Sequence, residues 1–62
     1  MQDQKAVTLL LSPNRAAAAL DVSRTTIYHY MKLGRIKFVM VGADRRIPHE
    51  EIERVAREGL PG

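Results

Sequence analysis

The side chains best suited to chemistry in this chain are cations interleaved with hydroxyls and an aromatic ring: Arg24, Thr25, Tyr28, His29 and Lys32. On a helix they lie at offsets of one, four, five and eight from Arg24 and share one face, leaving Ile27, Tyr30 and Met31 on the other. Lysine and arginine contact phosphates or guanine edges, and threonine bonds base edges or packs on a thymine methyl. When such a helix enters a major groove, its N-terminal end, here Ser23 to Thr26, is the part that reaches the bases. Farther along, Asp44-Arg45-Arg46 is expected at or beside a hairpin tip, where adjacent arginines can enter a minor groove or clamp its phosphates. Each pattern also has a plainer reading, as the solvated face of an amphipathic helix and as a soluble turn. A two-residue turn before the helix and a basic hairpin after it favour a polyanion.

Other chemistries fit less well. Tyr28 and Tyr30 suggest a stacking platform for single strands, but two residues apart on a helix they diverge by roughly 200°. Tyr30 is therefore expected in the core, with Tyr28 offering its hydroxyl to a phosphate. His29 and His49 are too few and too separated for a metal site. The stretch His49-Glu50-Glu51-Ile52-Glu53 resembles a zinc-protease helix only superficially, because Glu53 stands where the second histidine must be. There is no glycine-rich phosphate loop and no cysteine. The acids near residue 50 read as helix capping rather than as an acid/base pair. Neither a metal nor a cofactor is expected.

The elements that must position these residues can be read from their punctuation. Residues 1–6 form a polar tail without periodicity, and residues 7–59 form one domain, followed by a short tail at 60–62. Val7 to Leu11 is either a short strand or an entry segment packed on the core. Ser12-Pro13 starts a helix whose Ala16 to Ala19 run lets another helix approach closely, and which ends near Asp21. Ser23 starts a second helix, Arg24 to Leu33, stopped by Gly34. Only Asp21 and Val22 separate the two, which is helix-turn-helix geometry.

Ile36 to Val41 reads as a strand, broken by Gly42-Ala43-Asp44-Arg45 before Arg46-Ile47 resumes. From Pro48 a third helix runs toward Gly59, with Ile52, Val55 and Ala56 as its apolar stripe. The fold class is α+β, mainly helical. Ile36, Phe38 and Met40 alternate with Lys37, Val39 and Val41, yet both faces of that strand are largely apolar. Either a small core takes what it can, or Phe38 and Met40 form a face for self-association or another protein.

With 62 residues the chain allows one domain, burying about 60% of the surface its unfolded form exposes. An enzyme with its own pocket is disfavoured, because nearly every buried side chain is needed for the core. The longest apolar run, Ala16 to Leu20, is far short of the ~20 residues that cross a bilayer. With no export signal, a cytoplasmic protein is expected. Formal net charge is +3, and its distribution says more than its total. Residues 1–22 sum to zero, residues 23–48 to +5 and residues 49–62 to −2. All of the excess lies on the second helix and the hairpin, which points to a polyanionic partner.

Taken together, Ala16-Ala17, Leu20, Val22 to Tyr28, Gly34-Arg35-Ile36, Val39, Val41-Gly42, Arg46-Ile47-Pro48 and Glu51-Ile52 resemble the MerR-type winged helix-turn-helix of phage excisionases. The likeness is greatest to the small excisionases, or recombination directionality factors, of actinobacterial phages. It covers roughly residues 8–57. The resemblance implies a winged helix-turn-helix with a short N-terminal strand, two helices, a two-stranded wing and a C-terminal helix. It also implies cooperative binding and bending of double-stranded DNA at a phage attachment site, by neighbouring copies that favour excision by a tyrosine integrase.

Carried over residue by residue, the DNA contacts would be Ser23, Arg24, Thr25, Thr26, Tyr28, His29 and Lys32, with Arg45 and Arg46 on the wing. The chain departs from the family pattern in three places. Asp21 replaces the usual turn glycine, and His29 replaces a frequent arginine, which makes that contact pH-dependent. Phe38 and Met40 stand where a small residue and an arginine are common, so Val39 and Val41 are expected inward and Phe38 and Met40 more exposed. Two other functions remain compatible with the sequence. One is a small transcriptional regulator of the same fold; the other is a protein-interaction adaptor using its basic face.

Overall fold

Two serine caps organise the first half of the molecule, for which a computed structural model describes residues 8–60. The expected tail at 1–6, Val7 and the last two residues lie outside the described residues. The Ser12 hydroxyl accepts the Arg15 N–H at 3.2 Å, and Pro13 occupies the first turn, where its missing N–H costs nothing. Helix α1, Pro13–Leu20, follows. It stops at Asp21, whose φ of 56° and ψ of 46° are left-handed, a conformation that aspartate tolerates better than most residues. The Val22 N–H then reaches back to the Ala17 carbonyl at 2.9 Å, closing the turn. Ser23 caps α2, Arg24–Lys32, by accepting the Thr26 N–H at 3.0 Å. Beyond Leu33, Gly34 takes a φ of 74° and redirects the chain.

A three-stranded antiparallel sheet covers the other side, in the order β1-β3-β2, with β1 at Leu10–Leu11, β2 at Val39–Val41 and β3 at Asp44–Pro48. Leu11 pairs with Ile47, and Val39, Met40 and Val41 pair with Arg46, Arg45 and Asp44. Helix α3, His49–Glu58, leaves β3 directly and ends at Gly59. The core lies between the sheet and the helices. Its members are Ala16, Ala17, Ile27, Met31, Ile36, Ile47, Ile52 and Val55. The side chains of Ile27, Ile36 and Ile47 are the largest that are fully buried. Burying each such side chain contributes about 1.5–3 kcal/mol relative to leaving it exposed. The fold is thus α+β and mainly helical, as the pattern of caps and runs predicts, and Val7 to Leu11 resolves in favour of a strand at Leu10–Leu11.

Several local expectations are corrected. The first wing strand does not begin at Ile36. That side chain is in the core, and the next backbone N–H, that of Lys37, is given to a side chain rather than to a strand. The break in the hairpin is only Gly42-Ala43, with Gly42 at a φ of 64°, and Asp44 and Arg45 already belong to β3. Val39 and Val41 do not point inward. They are 44% and 51% exposed, and their register places them opposite Arg46 and Asp44. Phe38, at 36%, is the least exposed side chain of residues 38–41, against 55% for Met40. Ala56 is exposed, so the buried stripe of α3 is completed by Glu51 beside Ile52 and Val55. Tyr30 and Leu60 pack part-buried against the core, although the sequence groups Leu60 with the terminal tail.

Candidate nucleic-acid interface

The exposed face of α2 presents Arg24, Thr25, His29 and Lys32, with Tyr28 half-buried among them. The wing arrives alongside. The Arg45 guanidinium lies 5.5 Å from the centre of the Tyr28 ring and 5.6 Å from that of Phe38, and Arg24 approaches Tyr28 at 5.0 Å. Cations over aromatic faces attract the ring quadrupole, by roughly 0.5–1 kcal/mol at exposed sites. Tyr28 therefore links the helix to the wing through its ring. Between them runs an open cleft lined by Tyr28, Met31, Lys32, Phe38 and Arg45. It has an apolar floor and cationic rims, a lining suited to a sugar-phosphate strand.

The structure separates the remaining candidates. Ser23 and Thr26 use their hydroxyls on each other, 2.9 Å apart, while the Ser23 oxygen also caps the helix. His29 sets its ring edge-on to Tyr30 at 5.3 Å. Arg45 and Arg46, adjacent in sequence, point to opposite sides of the hairpin. Arg46 donates to the Arg45 carbonyl at 2.9 Å and lies 3.6 Å from the Asp44 carboxylate, so part of its charge is compensated locally. Arg45 pairs across the ladder with Met40 and reaches the α2 side. Phe38 belongs to the cleft, and Met40 stands exposed on the edge strand.

What sequence reasoning missed is behind the cleft. Glu51, only 6% exposed, accepts both Nε and Nη2 of Arg54, at 3.0 and 2.7 Å, together with the Lys37 N–H at 2.9 Å. It is a buried ion-pair acceptor rather than the capping acid the sequence suggests. The Arg54 bond holds its carboxyl below the usual carboxylate range; burial opposes this, and the Lys37 N–H assists. Arg54 is held above the ordinary arginine value, first by Glu51 and then by Glu58. Glu50 and Glu53 stand on the exposed face of α3, apart from the cationic face, with the Glu53 carboxylate 3.7 Å from His49 Nδ1.

A capped helix pair joined by a tight turn, with a basic hairpin packed beside the second helix, defines a winged helix-turn-helix DNA-binding domain. Residues 10–59 match the helix-turn-helix domain family, and the chain belongs to it. That family of DNA-binding domains includes excisionase-like proteins. Comparison with curated proteins and with solved structures returned no match. Among the described residues no helix is long and apolar enough to cross a membrane, and no three metal-binding side chains are grouped.

Proposed function

We propose that the protein is a phage-type excisionase, an architectural DNA-binding protein that binds and bends attachment-site DNA and so favours excision by a tyrosine integrase. The observation that carries this reading is the junction of Arg45 with Tyr28, which makes α2 and the wing one cationic surface. Such a surface grips a major groove and the flanking phosphates or minor groove together. Gripping adjacent grooves from one side, with acids on α3, neutralises one face of the duplex and supports bending. The sequence resemblance supports the process, as does membership of a family that includes excisionase-like proteins.

Neighbouring copies on adjacent repeats are part of this proposal, and an exposed Met40 on the wing edge is compatible with contact between them. The bases are read by Arg24 and Thr25, and the backbone is held by Tyr28, Lys32 and Arg45. His29 adds an outer contact from the same face. Arg46 makes an outer, weaker contact, and Ser23 and Thr26 present the helix end. The test is a mobility-shift assay on attachment-site DNA with the cognate integrase, using fragments in which the site is permuted. Position-dependent mobility and stimulated excision are expected. Tight binding without bending or stimulation would leave a transcriptional regulator of the same fold.

A further inference from the structure

The connection between α2 and the wing, residues 33–38, has little apolar anchorage of its own. Leu33 and Phe38 are exposed, β2 buries no side chain, and Ile36 alone enters the core. Its backbone is nevertheless held from two directions. The N–H groups of Arg35 and Ile36 both donate to the Tyr30 carbonyl of α2, at 2.9 and 3.3 Å. From the other side, Arg54 Nη2 donates to the Arg35 carbonyl at 3.0 Å and Glu51 accepts the Lys37 N–H at 2.9 Å. The same two side chains are locked to each other by a two-pronged pair, a geometry that fixes direction as well as distance. Arg54 Nη1 is braced by Glu58 at 3.0 Å.

We infer that Glu51 and Arg54 are positioning residues for DNA recognition, setting the place at which the wing leaves α2. They touch no DNA-facing group. They act through the 33–38 backbone, which carries Phe38 and β2, and β2 in turn pairs with Arg45. Arg45 reaches Tyr28 at 5.5 Å only while the wing keeps this spacing. Helix α3, acidic on its exposed side, thereby controls the width between the two cationic elements. A wing set free by an ångström or two would still attract a polyanion, but it would no longer register helix and hairpin on neighbouring grooves. The inference rests on the DNA-binding assignment and is independent of the excisionase reading.

The test uses a duplex selected from random-sequence DNA by the wild-type protein, a scrambled duplex, and the variants Glu51→Gln and Arg54→Lys. Affinities, their salt dependence and thermal midpoints are measured, with binding assayed well below every midpoint. Glu51→Gln is expected to lose at least fivefold in affinity for the selected duplex and less than twofold for the scrambled one. Its salt slope should be shallower by about 0.9 on the selected duplex, where the registered wing contact is lost, and unchanged on the scrambled one. Arg54→Lys, which keeps the charge and the Lys37–Glu51 bond but not the fork, should fall between. A lowered midpoint with both affinities unchanged would overturn the inference, leaving the pair a stabilising one. Equal losses on both duplexes would also overturn it. If Glu51→Gln does not fold, Arg54→Lys decides by the same pattern, a larger loss on the selected duplex than on the scrambled one. Failure of the wild type to select any duplex would contradict the DNA-binding assignment itself and remove the inference with it.

Discussion

Arg24 and Arg45 are expected to do different jobs despite sharing the Tyr28 ring. In the proposed arrangement Arg24 opens the helix end that faces bases, so Arg24→Ala should cost about 1–3 kcal/mol of binding and relax preference for the selected site. Equal losses on selected and scrambled DNA would reduce it to a phosphate contact. Arg45→Ala should instead weaken binding to all sequences and lower the log–log salt slope by about 0.9. Arg46→Ala should change the slope less, because its guanidinium is partly spent on Asp44 and the Arg45 carbonyl. Tyr28 offers a sharper choice. If its ring is what holds the wing arginine, Tyr28→Phe retains most affinity and Tyr28→Ala does not. A comparable loss in both would return the role to the hydroxyl.

At the scale of the element, the caps carry the clearest expectations. Ser23→Ala should lower stability by about 1 kcal/mol, read as a lower thermal midpoint, with the salt slope unchanged, since its hydroxyl serves the helix end. A weaker affinity measured well below the midpoint would make Ser23 a phosphate contact as well. Asp21→Ala should cost about 1 kcal/mol, because alanine in the left-handed turn lacks the local bonding that aspartate can offer. An unchanged midpoint would show the turn to be unstrained.

These elements were legible in the sequence because their determinants are local. Ser12-Pro13, Ser23 and Gly34 act within a turn of where they stand. The wing was less legible. Its strand start and facing depend on where Ile36 and the Lys37 N–H are consumed, and the N–H acceptor, Glu51, lies fourteen residues away on another helix. An acid in a first helical turn has a local explanation in the dipole, which masks the long-range one. The Arg45–Tyr28 contact was hidden for a similar reason. Its two partners were both legible as DNA-facing, but their stacking depends on a wing spacing that no short window encodes.

For the whole molecule, charge separation and one buried carboxylate set the response to conditions. Glu51 has a lower pKa folded than unfolded, so the unfolded chain binds more protons as the carboxyl titrates. Its stabilising contribution is complete above the usual carboxylate range and is lost as pH falls through the lowered folded value. Thermal midpoints should therefore decline on acidification through that window, and Glu51→Gln should lack this part of the decline. Matching profiles would assign the acid sensitivity elsewhere.

If α2 and the wing together meet DNA and α3 does not, a selected duplex titrated into the wild-type protein shifts the backbone amide NMR signals of those two elements. The largest changes are expected from Ser23 to Lys32 and from Phe38 to Arg46, with Glu50 to Glu58 little affected. Changes concentrated on α3, or confined to α2 with the wing silent, would contradict that arrangement.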